Sequence, residues 1–205
     1  MGGSRQGEES IGAAGRPTVP SGGLSRMFYD LRRRRERQRQ FVGILFVVVV
    51  TFAGRPDMRT FVPALWIVGV GMLVRLWASG HVKKDKELAT EGPYALVRHP
   101  LYVGNLLIGI GFCLASGLWW SWAVWAVVLL LFYPPAIRQE DAKLRHLFGE
   151  AWDRWRAKTL ALVPTWPPAG PLFTPWSARQ SLIANGEPIY IVIFCLLLLW
   201  LGSRL

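Results

Sequence analysis

The sequence predicts an all-α, polytopic membrane protein with about five transmembrane helices and a cytoplasmic cofactor-binding region. Three observations lead there. Of the 205 residues, 52% are hydrophobic, and they fall into five runs of helical length. The formal net charge of +11 is not spread evenly but gathers in short stretches, above all LRRRRERQRQ at 31–40. The first two runs are joined by the brief polar turn RPDMRT and the third and fourth by a tight Ser-Gly turn, so the runs pair as helical hairpins.

The first of two regions, 1–40, reads as a disordered basic tail. Residues 1–23 are rich in Gly, Ser and Pro without apolar periodicity, and they lack the short apolar core and cleavage site of a secretory signal. The arginine cluster runs straight into FVGILFVVVVTFAG, so it reads as a flank meeting anionic headgroups and not as a nucleic-acid arm. The second region, 41–205, is the membrane domain.

Crossing about 30 Å of hydrocarbon takes roughly 20 helical residues. Phe41 to Gly54 is brief; the polar turn RPDMRT leads to Phe61 to Ala78, with Arg75 placed to snorkel near its end. Leu101 to Ser116 and Trp119 to Ile137 make a second hairpin across a tight Ser-Gly turn, with Trp119, Trp120 and Trp122 grouped as an interfacial belt would be. The last run, Ile189 to Leu201, is short and strongly apolar. Lysine and arginine in short loops favour the cytoplasm, which puts the N-terminus, loop 79–98 and segment 138–187 on that side.

Segment 138–160 spaces Leu144, Leu147, Phe148, Trp152 and Trp155 as an interfacial amphipathic helix broken near Gly149. VPTWPPAGPLFTPW holds too many prolines for a regular helix and predicts an extended strap over the cytoplasmic face. Cys113 and Cys195 lie within apolar runs and suggest neither a disulfide nor a metal site.

Two constellations carry chemistry. In GPYALVRHPLYVG, Gly92 and Pro93 make a turn and Pro100 suits the first turn of a helix. Free backbone donors at that helix start, with Arg98 and His99 beside them, would attract an anion. Glu140 and Asp141 follow the helix expected to end at Ile137, and acidic residues so near hydrocarbon need a cationic partner, for which Lys143 or Arg145 could serve. An anion site and a cation site on one face suit an amphoteric ligand, and the rings of Tyr94, Tyr102 and Trp152 could cover a base or a sulfonium.

KELATEGPYALVRHPLYVGN, followed after a hairpin by EDAKLRHLFGEAWDRW and LVPTWPP, resembles the isoprenylcysteine carboxyl methyltransferase family over roughly residues 75–168. These are integral-membrane enzymes related to phospholipid methyltransferases. The resemblance implies S-adenosylmethionine as cofactor and methyl transfer to a lipophilic, membrane-borne carboxylate, amine or thiol. It carries cofactor contacts onto Lys86, Glu87, Leu88, Ala89, Tyr94, His99, Pro100, Leu101, Tyr102 and Glu140, with Arg98 and Glu140 as the catalytic pair. His99 would hold the methionine carboxylate, and Glu140 would accept from the amino group or ribose. Membrane lipids are the expected partners; neither a metal nor nucleic acid is.

The chain also departs from that family. Members acting on prenylated protein carry an arginine four residues before the first acidic residue, where this chain has Ala136. Arg138 is two residues from Glu140 and faces elsewhere. Asp141 replaces the usual glutamate, and Trp152 and Trp155 replace common tyrosines. Two other readings compete: a nicotinamide-dependent membrane reductase of sterol-reductase type, and a non-catalytic membrane interaction protein.

Overall fold

The computed structural model describes residues 40–82 and 87–205. The tail expected over 1–40 therefore lies outside the described residues apart from Gln40, and so does Lys86. The described chain is all-helical: α1 (Gln40–Ala53), α2 (Met58–His81), α3 (Pro100–Ser116), α4 (Trp119–Phe148), α5 (Glu150–Arg156) and α6 (Glu187–Gly202), with a 3₁₀ turn at Gly92–Ala95 and a π-helical turn at Arg179–Ala184. Among these, α2 and α4 are long and apolar enough to cross a membrane, while α1, α3 and α6 are shorter apolar helices.

Local chemistry sets the boundaries. Asp57 caps α2 by accepting from the Arg59 N–H at 2.8 Å. Pro100 opens α3, where its missing N–H has no intrahelical partner to lose. Gly117 closes α3 in the left-handed region (φ 66°). The α2 and α3 backbones approach closely, because a Cβ on Gly71 or Gly104 would stand 2.8 Å from the other residue's carbonyl oxygen.

The core and the surface are arranged for an apolar solvent. Phe46 and Val50 of α1, Val68 of α2, Phe112 of α3, Trp125 of α4 and Leu198 of α6 form one buried cluster, in which the Phe46 and Trp125 rings stack at 5.0 Å. Large apolar side chains nonetheless cover the outside, including Trp66, Leu73, Leu130 and Leu199, whereas Thr51, Ser79, Ser116 and Ser121 are wholly buried. Small polar residues inside and hydrocarbon outside are what a lipid environment favours.

α6 runs antiparallel to α2. Gly202 lies against Phe61 at one end, and at the other Glu187 meets Arg75. Arg75 consequently does not snorkel. Its guanidinium forms a fork with the Glu187 carboxylate (NH2 to Oε1 2.9 Å, Nε to Oε2 3.1 Å) and also donates to Asn105 Oδ1. The returning C-terminal helix supplies the counter-charge that the sequence had seemed to leave to headgroups.

A second correction concerns α4. The helix expected to stop at Ile137 continues through Pro134 and Pro135 to Phe148, ending at Gly149 (φ 52°). At about 1.5 Å per residue, 30 residues outrun about 30 Å of hydrocarbon. The last turns extend beyond that thickness and pack Leu144 and Phe148 against Trp152 and Trp155. The helix does break at Gly149, and α5 follows.

The proline-rich strap is present and ordered against the 92–99 turn. Arg98 and His99 N–H groups donate to Leu160 and Ala161 (2.9 and 3.1 Å), Thr165 and Ala169 donate to Leu96 and Ala95 (2.9 and 2.8 Å), and Gly92 donates to Pro171 (2.9 Å). Backbone groups that could not join a helix find their partners in each other.

Candidate active site

Turn 92–99 and the α4 extension meet at the end of the bundle where α2 finishes and α3 and α6 begin. The turn depends on Gly92, whose φ of 58° is in the left-handed region and whose Cβ, if present, would strike the His81 ring at 2.8 Å. That turn delivers Arg98 and His99 to the start of α3, while Tyr102 follows in its first turn.

The two constellations come into direct contact. His99 Nε2 lies 2.9 Å from Asp141 Oδ1, and Arg98 NH1 donates to Asp141 Oδ2 at 3.2 Å. Since an ionised carboxylate only accepts, the imidazole carries its proton on Nε2 in this contact. Tyr102 donates its hydroxyl to Glu140 Oε2 at 2.9 Å, and His99 Nδ1 lies 3.8 Å from that same oxygen. The partner of the acidic pair is thus the Arg-His-Pro-x-Tyr stretch; Arg145 instead pairs with Asp153 at 3.2 Å.

Sequence reasoning treated the cationic and anionic halves as separate subsites for a ligand's two charges. In the fold Asp141 joins them, with its side chain 15% exposed and His99 only 3%. Polar groups this sheltered need each other before any ligand arrives. Glu140 differs, since its side chain keeps 46% of its exposure while held by Tyr102.

Aromatic rings extend the site in two directions. Tyr102 faces His99 at 5.4 Å and Tyr133 at 5.5 Å, and Tyr133 in turn meets Trp125 edge-on at 6.3 Å. Tyr133 was not foreseen from the sequence; it sits seven residues before Glu140, two helical turns away on the same face, and that periodicity was the available signal. On the other side Trp152, wholly buried, packs at 5.2 Å against Trp155 and beneath the Arg98 guanidinium at 6.0 Å. Tyr94, Leu88, Ala89 and Leu101 share this second cluster with the two tryptophans.

Electrostatics distinguish the titratable members. Burial first, then the charges of Glu140 and Glu187, push the Tyr94 phenol well above the ordinary tyrosine range, against a smaller opposing effect of Arg75. Tyr94 therefore stays a neutral phenol. Burial lowers the Arg98 pKa, and Asp141 opposes that shift.

Pro100, Leu101 and Tyr102 stand together with His99 in the first turn of α3, and Glu140 faces them; Leu88 and Ala89 line the tryptophan side. Lys86 is outside the described residues, and Glu87 lies at their edge. Among the described residues, no three His, Cys, Asp or Glu side chains gather as metal ligands would.

The described residues thus form an outward-apolar helical bundle with one polar, aromatic-walled end. Residues 63–151 match the phospholipid methyltransferase family, and part of the chain is similar to an isoprenylcysteine carboxyl methyltransferase. It is 36% identical over 84 residues to a protein-S-isoprenylcysteine O-methyltransferase of Schizosaccharomyces pombe, covering 41% of this chain and 36% of that protein. It is also 32% identical over 135 residues to a nickel-cobalt-cadmium resistance protein of Alcaligenes xylosoxydans, 62% of each chain. A cobalt-zinc-cadmium resistance protein of Cupriavidus metallidurans is 38% identical over 104 residues, 49% of this chain and 48% of that one. In each case the match spans less than two thirds of the relative. No solved structure matches this chain.

Proposed function

We propose that this protein is a multi-pass membrane methyltransferase that uses S-adenosylmethionine to methylate a lipophilic acceptor drawn from the bilayer, with its site and N-terminus on the cytoplasmic side. The observation that carries the reading is the closure of residues 98–102 onto Glu140 and Asp141, through the His99–Asp141 and Tyr102–Glu140 contacts of 2.9 Å each. The methyltransferase likeness of residues 63–151 supports it.

The residues present suit the proposed cofactor. Arg98 Nε, Trp152 Nε1 and Trp155 Nε1 are buried donors without a partner among the described residues. Each such orphan costs about 1–3 kcal/mol, and a ligand rich in nitrogen and oxygen acceptors would relieve that cost. Glu140 retains a solvent-facing carboxylate that can accept from an ammonium or a ribose hydroxyl. When bound, the cofactor would supply a methyl group on a positively charged sulfur.

The chain's own contribution is then mainly placement. Asp141 fixes Arg98 and His99; Tyr102 fixes Glu140; the strap holds the 92–99 turn at its backbone. Tyr94, kept neutral, offers a ring wall and not a base. Lipid and helices exclude water from one side, which favours a reaction in which opposite charges cancel. The polar end is arranged as a ligand cradle of donors, rings and one exposed carboxylate.

Calorimetric titration of the purified protein with S-adenosylmethionine, its demethylated product and NADPH tests the proposal. Binding of the first two is expected, together with roughly tenfold weaker binding in Glu140→Gln, the loss of one charge-assisted contact. Binding of NADPH alone, or of none of the three, overturns it. Isotopically labelled methyl donor should then label a lipid-extractable product.

A further inference from the structure

The strap over 160–176 carries no charged residue, and the side chains it turns away from the 92–99 turn are apolar. Trp166 and Phe173 are 83% and 95% exposed, and Leu160 and Val163 are exposed as well. Cations flank this ribbon. Arg156 and Lys158 precede it and Arg179 follows it, all three exposed, and no acidic residue stands between Asp153 and Glu187. Apolar side chains and rings along a segment with cations at its ends are the composition of a chain that lies in a membrane interface, where rings settle at the headgroup level.

The short helices bear on its depth. The strap is bonded through its backbone to the 92–99 turn, which leads straight into α3, and the chain beyond the strap enters α6 at Glu187. α3 has 17 residues and α6 has 16, which at 1.5 Å per residue gives about 26 and 24 Å, short of about 30 Å of hydrocarbon. In a bundle that spans the bilayer, the first turn of α3 and the strap bonded beside it therefore lie at the hydrocarbon boundary and not out in water. The backbone of the strap suits that depth. Pro164, Pro167, Pro168, Pro171 and Pro175 have no N–H to leave unpaired, while Thr165 and Ala169 donate theirs into the turn.

We propose that the strap is an interfacial anchor: Leu160, Val163, Trp166 and Phe173 enter the boundary between headgroups and acyl chains of the surrounding bilayer, and Arg156, Lys158 and Arg179 meet the phosphates of anionic lipids there. This rests on the membrane-spanning part of the proposed function and goes beyond it, naming a lipid-binding surface outside the apolar helices. Complementarity selects the occupant. Neutral headgroups would accept the rings but leave the cations without a counter-charge, and an acidic soluble partner would answer the cations but not the apolar ribbon; an anionic lipid surface answers both. The anchor reaches the candidate site through hydrogen bonds already described. The strap supplies the backbone acceptors for Gly92, Arg98 and His99, so a strap seated on lipid holds their turn at the depth where a water-borne ligand and a lipid-borne one can meet.

The test places nitroxide spin labels on the full chain in lipid nanodiscs, with Cys195→Ser removing the exposed thiol while the buried Cys113 stays. Labels at Trp166→Cys and Phe173→Cys are compared with Leu130→Cys, on the outer face of α4, and with Glu150→Cys, past the end of α4. Each is read by its collisions with oxygen, which concentrates in hydrocarbon, against those with a neutral nickel chelate, which stays in water. The oxygen-to-nickel ratio is expected to be severalfold higher at 166 and 173 than at 150, and to rise further when phosphatidylserine is added to phosphatidylcholine. Combining Arg156→Gln, Lys158→Gln and Arg179→Gln should abolish that rise and leave the label at 130 unchanged. Labels at 166 and 173 that nickel reaches as readily as the one at 150, as a docking surface for a soluble protein would give, overturn the proposal, and so does indifference to phosphatidylserine. A label at 130 that nickel reaches overturns the spanning reading as well, so the two fail distinguishably, and no methyl donor takes part in either.

Discussion

Asp141 and Glu140 are adjacent in sequence yet meet the rest of the chain differently. Asp141 is the sheltered acceptor of both Arg98 and His99, so Asp141→Asn strips the counter-charge from the Arg98 guanidinium and weakens the acceptor of the His99 imidazole. The expected result is a loss of about 3 kcal/mol, the scale of breaking a buried pair from one side, read as a lower denaturation midpoint. Glu140→Gln leaves the hydrogen bond from Tyr102 able to form, and should cost less than about 1 kcal/mol while reducing cofactor affinity. If the two variants lose stability equally, the division of labour is wrong. Tyr94 gives a pH test. Its raised pKa means that the folded protein holds the phenolic proton longer than the unfolded chain does. Its contribution to stability is therefore complete below about pH 10 and declines as pH rises above that ordinary tyrosine value. In ultraviolet titration Tyr94→Phe should leave the tyrosinate signal near pH 10 unaltered, because Tyr94 does not ionise there.

Among the elements, the 92–99 turn and the α4 extension form the site, and their legibility differed. The turn was readable because its determinants are local: Gly92 for a positive φ, Pro100 for a first helical turn, Arg98 and His99 beside it. Gly92→Ala should cost about 1–2 kcal/mol from backbone strain alone, more if the His81 ring cannot move, with the melting temperature as the measurement. The continuation of α4 past Ile137 was not readable. Two prolines followed by charged residues look like an exit from the membrane, but the helix persists because its amphipathic last turns rest Leu144 and Phe148 on the tryptophan cluster. The sequence likewise gave no way to see that the acidic pair would close on the Arg-His stretch and not on Lys143 or Arg145, since that contact joins residues about 40 apart.

At the scale of the molecule, one ion pair binds the C-terminal helix to the rest. Arg75 and Glu187 lie 112 residues apart in sequence with side chains 11% and 4% exposed. Glu187→Ala should destabilise the bundle by about 3–5 kcal/mol, whereas the double variant Arg75→Met with Glu187→Leu should recover most of that, because an apolar pair needs no counter-charge. A double variant as unstable as the single one would show that the pair does more than neutralise. The family match stops at residue 151, so this fastening lies partly outside the region shared with the phospholipid methyltransferases.

The same distance along the chain bears on how the protein is made. Arg75 leaves the ribosome long before Glu187, so during synthesis α2 carries a bare positive charge that no later helix has yet reached. Until α6 arrives that residue has Asn105 of α3 but no carboxylate to meet it, and the fork closes only once α6 has followed α2 and α3 out of the ribosome.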